Sequence, residues 1–219
     1  MSTPIKLMEL TLKNFMSYGN NVTTINLDFK DPVMIVGKNH DAAVNGQVDS
    51  NGAGKSAILD AITFALYDKT ISNKDKARLI NNINNKDLEV SLTFTRNGVQ
   101  YKIVRSKKTK TKADIRLLIL GDNGEYIAKT PDSIANANAE IEKIIGLPFD
   151  IFARIIVFSA TFQPFLDLPS RHESKASQTS IMDELFGNTE LNEKAEALKE
   201  KIKKVKAEFI HIQELQAQV

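Results

Sequence analysis

The chain contains no cysteine, and that absence excludes a disulfide scaffold, a thiolate zinc site and a cysteine nucleophile. Histidine is nearly as scarce: three in 219 residues, scattered, are a poor basis for a histidine-based metal centre. No apolar run reaches the roughly 18 residues that a membrane-spanning helix needs, and Met1–Lys6 carries no signal-peptide core. The sequence therefore reads as soluble and cytoplasmic, with no membrane contact. An excess of one charge is also missing, since 29 Lys and Arg face 27 Asp and Glu for a net charge of +2. Any contact with nucleic acid is then a local patch. What the composition does offer, 42% hydrophobic and 26% charged residues, suffices for one substantial core or two small ones and excludes disorder as the main state.

Period-two alternation marks the first strands: Met8/Leu10/Leu12 and Ile25/Leu27/Phe29 predict neighbouring antiparallel strands, each with one apolar face. Val33-Met34-Ile35-Val36 is apolar at every position, between Asp31-Pro32 and Gly37, and predicts a central strand buried on both faces. Lys55–Tyr67 lacks Gly and Pro and predicts a largely buried helix. Leu88/Val90/Leu92/Phe94 and Val99/Tyr101/Ile103 flank Asn97-Gly98, the dipeptide of a type I′ hairpin. A strand at Ile115–Leu120 meets the turn Asp122-Asn123-Gly124, and Pro131-Asp132-Ser133 opens a helix stopped by Gly146 and Pro148. Ile151–Phe158 is too uniformly apolar for periodicity to separate strand from helix.

From Leu191 the spacing becomes four-three through Ala195, Leu198, Ile202, Val205, Phe209 and Ile212, with Val219 in phase after a polar Gln216. Lysines and glutamates fill the other positions, as on a coiled-coil surface; an amphipathic helix packed on the body is the alternative. The seam reaches the last residue without a cap, which predicts a coil that continues. The resulting organisation is an N-terminal lobe over 1–165, a helical connection over 166–190 and the start of a coiled coil over 191–219.

The chemistry concentrates in Asn51-Gly52-Ala53-Gly54-Lys55-Ser56. Glycines let successive backbone N–H groups turn toward a phosphate, and the helix that follows adds its positive end. Lys55 would reach the β- and γ-phosphates of ATP, Ser56 would coordinate the Mg2+ that bridges them, and Ala57 would continue the cradle. A glycine-rich turn with a coincidental Gly-Lys-Ser is the alternative. The pattern G-x-x-x-x-G-K-[ST] asks for glycine at position 49 and finds Asp49. Gly37-Lys38, however, ends the apolar segment where such a loop begins, and excising Asn39–Ser50 leaves Gly-Lys-Asn-Gly-Ala-Gly-Lys-Ser. The reading is a phosphate loop split by an insertion, itself expected to be a mobile surface loop. A calcium loop within it lacks EF-hand spacing and the closing Glu.

These residues resemble the SMC-like ATPases of the SbcC type, the ATPase subunits of the Mre/Rad class of DNA-repair nucleases, bacteriophage recombination exonucleases among them. Leu12-Lys13-Asn14-Phe15-Met16-Ser17-Tyr18 is similar to the family's opening strand and Asn-Phe-Arg-Ser motif, with Met16 at the basic position and Ser17 left as the nucleotide contact. Phe162-Gln163-Pro164-Phe165 falls where the family's Q-loop is expected. The resemblance implies that Gln163 reaches the Mg2+ and the attacking water, work for which a neutral amide, both donor and acceptor, is suited. It implies an α/β fold, the N-terminal half of an ABC/SMC-type P-loop ATPase head: antiparallel strands, a P-loop strand-helix core and the start of a coiled coil.

The family's Walker B Asp-Glu, Ser-Gly-Gly signature and switch histidine belong to a C-terminal half. Met182-Asp183-Glu184 imitates Walker B, but Ser180 interrupts the apolar run and Leu185-Phe186-Gly187 continues a helical pattern. The partners implied are that C-terminal half, a second head in a homodimer, a metallo-nuclease of the SbcD type and double-stranded DNA. Lys102, Arg105, Lys107, Lys108, Lys110, Lys112 and Arg116 straddle a strand turn, either as a solvated tip or as a sequence-independent DNA contact, with Lys107, Lys108, Lys110 and Lys112 as the candidates. The function so read is ATP binding and hydrolysis that gates DNA-end processing. A chromosome-organising or RecF/RecN-like recombination ATPase is the alternative, and a transporter ATPase fits poorly because it lacks a coil after the Q-loop.

Overall fold

Alternation decides which face of the sheet is dry. In a computed structural model, which describes residues 4–44, 47–49, 52–109, 112–157, 163–170, 177–186, 194–195 and 197–206, the first strands are β1 (Lys6–Lys13) and β2 (Thr23–Asn26), paired antiparallel as the sequence predicts, although β2 stops short of Leu27 and Phe29 and leaves Phe29 exposed. After them come a hairpin of β3 (Asn39–Val44) and β4 (Gln47–Asp49), then helix α1 (Lys55–Tyr67). Strands β5 (Leu88–Arg96), β6 (Val99–Lys107), β7 (Ala113–Leu120) and β8 (Tyr126–Ala128) follow, and then α2 (Ile134–Ile145). Six strands form one antiparallel sheet in the order β2-β1-β5-β6-β7-β8.

Register carries the apolar positions across the sheet in rows: Leu10 opposite Leu92, Leu92 opposite Ile103, and Ile103 opposite Leu117. All four are fully buried, in one cluster with α1 and α2 residues such as Phe64 and Ile141. At about 1.5–3 kcal/mol per fully buried large aliphatic side chain, this face is what holds the unit together. The other face is polar, with Thr11 and Ser91 sharing a hydrogen bond of 2.8 Å. The β5–β6 turn has Asn97 and Gly98 at φ 52° and 77°, the double left-handed conformation that Asn-Gly favours. Ser133 caps α2 by accepting from the Asn136 N–H, and Gly146 closes it, as expected.

Three expectations change. Val33–Val36 belongs to no strand, and its side chains are 53, 84, 46 and 68% exposed rather than buried. A strand dry on both faces needs sheet neighbours, and among the described residues none pairs with this segment. The insertion, expected as a mobile surface loop, contains regular structure: β3 and β4 pair with Asn39 opposite Asp49 and Val44 opposite Gln47. Third, the basic run is divided by strand parity. Arg105 and Lys107 share the inward parity of Ile103 and are buried at 3 and 5% exposure, which removes Lys107 from the DNA candidates. Arg105 Nε donates to the Ala65 carbonyl at 2.8 Å at the end of α1, and Lys107 Nζ donates to the Lys76 carbonyl. Burial lowers the Arg105 pKa to about 10, against the opposing pull of Asp68, and burial lowers that of Lys107 as well. Lys108 and Lys112 remain exposed in the turn, and Lys110 lies outside the described residues.

The ambiguous apolar segment is helical as far as Ile156, where α3 (Phe149–Ile151) has run into a π-helical turn, Phe152–Ile156; Val157 is extended and Phe158 lies outside the described residues. Tyr67 packs on Phe149 and Phe152 and donates its hydroxyl to the Leu147 carbonyl at 2.9 Å. The chain divides into two compact units, 1–162 and 163–219. In the second, a 3-10 turn at Phe165–Asp167 precedes α4 (Gln178–Leu185), which contains Asp183 as the helical reading of that stretch requires. Residues 194–195 and 197–206 are helical, with Leu198, Ile202 and Val205 of the heptad seam exposed. Leu191, Phe209, Ile212 and Val219 of that seam lie outside the described residues.

Candidate nucleotide-binding site

Helix α1 begins without a side-chain cap and without an acidic residue in its first turn. Its first N–H groups therefore keep their positive end toward whatever lies beyond it. Gly54, the N-cap, sits at φ 84°, a conformation that costs a side-chain-bearing residue about 1 kcal/mol. In front of it is a cavity of about 380 Å3 lined by Ser17, Gly52, Gly54, Lys55, Ser56 and, at its rim, Lys74. Ala57 lines it as well, and Asn51 lies outside the described residues. Two lysines, two hydroxyls, a helix N-terminus and glycine backbone make a donor set for a polyanion, so the residues present fit the triphosphate of a nucleotide.

The split in the loop closes in space. A Cβ placed on Gly37 would lie 2.5 Å from the Ala53 Cβ and 3.1 Å from the Lys55 Cγ. Gly37 therefore touches the far half of the loop although the hairpin separates them in sequence, and only glycine allows that approach. With Asn39 opposite Asp49, the hairpin stem leaves and re-enters at neighbouring points.

A second wall comes from the turn after β1, which the sequence marks only by Ser17. Asn14 and Met16 both have φ 50°, a strained arrangement held from several sides. Asn14 is fully buried; its Oδ1 accepts from Asn84 Nδ2 at 2.7 Å, and its carbonyl accepts from the Asn81 N–H. Asn81 Nδ2 donates to the Met16 carbonyl at 2.8 Å, and Met16 N donates to the Leu79 carbonyl at 2.7 Å. The asparagines escape a sequence reading because a lone Asn is usually a surface residue; their clustering after Leu79-Ile80 is the signal that was available. Lys74 is presented by a turn in which Asp60, buried in α1, accepts from the Ser72 N–H and hydroxyl and Thr70 Oγ1 accepts from the Lys74 N–H.

Gln163 belongs to the second unit, where its Nε2 donates to the Asp167 carbonyl at 2.7 Å and the residue is exposed. Among the described residues no group of three or more His, Asp and Glu could hold a metal ion; the hydroxyls that line the cavity are those of Ser17 and Ser56. No described helix is long and apolar enough to cross a membrane.

A glycine loop at a helix N-terminus, followed by Lys-Ser and fed by an antiparallel lobe, is the arrangement of the P-loop class of nucleotide-binding domains. The chain belongs to the AAA domain family, whose profile matches residues 9–219. It is similar to exonuclease subunit 2 of Enterobacteria phage T4, with 32% identity over 171 residues, 77% of this chain and 27% of that protein. The SbcC component of the nuclease SbcCD of Deinococcus radiodurans is 31% identical over 156 residues, 70% of this chain and 16% of that protein. The DNA double-strand break repair Rad50 ATPase of Thermoplasma acidophilum is 33% identical over 168 residues, 76% of this chain and 18% of its own length. The chain thus resembles the N-terminal ATPase portion of these proteins and spans about a quarter or less of their length.

Proposed function

We propose that this chain is the ATP-binding, N-terminal part of an SMC-like ATPase that drives ATP-dependent DNA-end processing, in repair, recombination or replication, with a metallo-nuclease of the SbcD type. For a phage-encoded chain the setting is the host cytoplasm. The observation that carries the reading is the reassembled phosphate loop, in which Gly37 meets Ala53 and Lys55 at the mouth of α1. In this reading the backbone of Asn51, Gly52, Ala53 and Gly54 cradles the phosphates, Lys55 holds the β- and γ-phosphates, and Ser17 adds a hydroxyl. Ser56 would hold the Mg2+, with Gln163 joining it on closure, and the ion would supply positive charge against that of the phosphates. Gln163 orients the attacking water only when the head is closed.

The exposed Val33–Val36 supports a composite head, because four apolar residues that nothing in the described chain covers suit a strand completed by a C-terminal half. That half supplies the catalytic carboxylate, and hydrolysis requires two heads to dimerise. Lys108, Lys110 and Lys112 contact the phosphodiester backbone of double-stranded DNA without reading sequence.

The test is nucleotide binding and turnover by the chain assembled with the C-terminal half of the relatives. Lys55→Ala is expected to abolish both, and unchanged values would overturn the phosphate-loop reading. Gln163→Ala is expected to lower turnover far more than affinity. Co-purification of a metallo-phosphoesterase nuclease checks the partner.

A further inference from the structure

The strained turn that carries Ser17 also delivers Tyr18 to the phosphate loop. Ser17 lines the cavity, whereas Tyr18 is not among its lining residues. A Cβ on Gly54 would lie 2.9 Å from Ser17 Oγ and 3.3 Å from Tyr18 Cε2, so the turn and the last glycine of the loop are in direct contact. The Tyr18 hydroxyl donates to the Gly54 carbonyl at 3.4 Å. Burial raises the pKa of that hydroxyl, which therefore stays protonated and able to donate at neutral pH.

The consequence follows from peptide geometry. In a trans peptide the C=O and the N–H of the next residue point in opposite directions. A donor that holds the Gly54 carbonyl fixes the Gly54–Lys55 peptide and sets the Lys55 N–H away from Tyr18, beside the cavity that Gly54 and Lys55 line. The anchor is itself fixed: Tyr18 N donates to the Phe15 carbonyl at 2.9 Å, Phe15 is fully buried against Phe64, and Asn81 holds Met16. We infer that Tyr18 is a positioning residue for the phosphate loop, its hydroxyl holding the Gly54–Lys55 peptide in the orientation that receives the β-phosphate of a bound nucleotide. Preorganisation of this kind lowers the cost of ordering a loop around its ligand.

The inference rests on the phosphate-loop reading, and its test separates the two. Tyr18→Phe keeps the ring against Gly54 and removes only the hydroxyl. Titration calorimetry of the full chain with Mg-ATP and with Mg-ADP is expected to show about three- to tenfold weaker binding, equal for the two nucleotides because both carry the β-phosphate. The unfolding midpoint without nucleotide is expected to be unchanged. In the head assembled with its C-terminal half, KM for ATP is expected to rise with kcat unchanged, the pattern of lost uniform binding. Wild-type affinity in Tyr18→Phe, a loss confined to ATP, or a lowered unfolding midpoint accompanying the loss would each overturn the assignment. Lys55→Ala is the control: if it leaves affinity intact, the phosphate-loop reading fails and this inference with it. If Lys55→Ala abolishes binding while Tyr18→Phe binds normally, only the inference fails.

Discussion

Helix α1 and the segment Val33–Val36 border the same phosphate loop, one after it and one before it, and both are apolar enough to call for burial. Ten of the thirteen residues of α1 are buried beneath the sheet and α2. All four of Val33–Val36 are exposed, Met34 the most at 84%. One flank of the loop is finished within this chain, and the other is apolar surface with no cover among the described residues. The difference teaches that a phosphate loop can be shaped from one side alone. Gly54 receives its conformation from α1 and the turn after β1, while Gly37 is held by contact with Ala53 and Lys55 rather than by a sheet.

The largest expected effect breaks the finished side. Phe64 is 1% exposed, with the Phe15 ring centroid 5.7 Å from its own, and Phe64→Ala leaves a cavity under the sheet. A loss of about 3–5 kcal/mol of unfolding free energy is expected in denaturant titration. The matching change on the open side, Met34→Asp with Val36→Asp, is expected to cost the isolated chain no more than about 0.5 kcal/mol, because those side chains already meet water. Association with the C-terminal half is expected to fall by about 100-fold, measured by pull-down or interferometry, as the apolar area available for burial is lost. A large stability loss from this pair would show that the segment is already covered within the chain.

The same contrast of inside and outside divides the basic run. Lys108→Gln with Lys112→Gln is expected to weaken DNA binding several-fold and to flatten the salt dependence by about two phosphate contacts. Lys107→Met, which keeps the buried stem and removes the ammonium, is expected to leave both unchanged. The smallest effect is expected on excising Asn39–Ser50. The stem ends lie opposite each other, so unfolding free energy is expected to shift by no more than about 1 kcal/mol, with nucleotide affinity retained. Loss of folding on excision would show that the hairpin supports the loop.

The antiparallel sheet was legible because alternation at Leu10/Leu12, Leu88–Phe94 and Ile103 reports a face directly, and Asn97-Gly98 reports the turn. The caps of α2 were legible for the same local reason. Arg105 and Lys107 were misread because charge was counted without parity; two and four residues beyond Ile103, they lie on the inner face, where Arg105 serves the carboxyl end of α1. The β3–β4 hairpin was not legible because its strands are too short and too polar for alternation to show. Val33–Val36 marks a different limit. Apolar composition states that a segment seeks cover, and says nothing about which polypeptide provides it. In the site, Gly52, Gly54, Lys55 and Ser56 follow a linear pattern, whereas only the fold brings Tyr18 to the loop, Lys74 to the cavity and Asn81 to the turn beside it.

The hairpin's closed stem separates two quantities that a linear motif treats as one. Distance along the chain from Gly37 to Lys55 is long, while distance through space is a van der Waals contact. A survey that fixes the number of residues between the first glycine and the lysine would pass over this chain and others built like it; one that fixes the contact would find them.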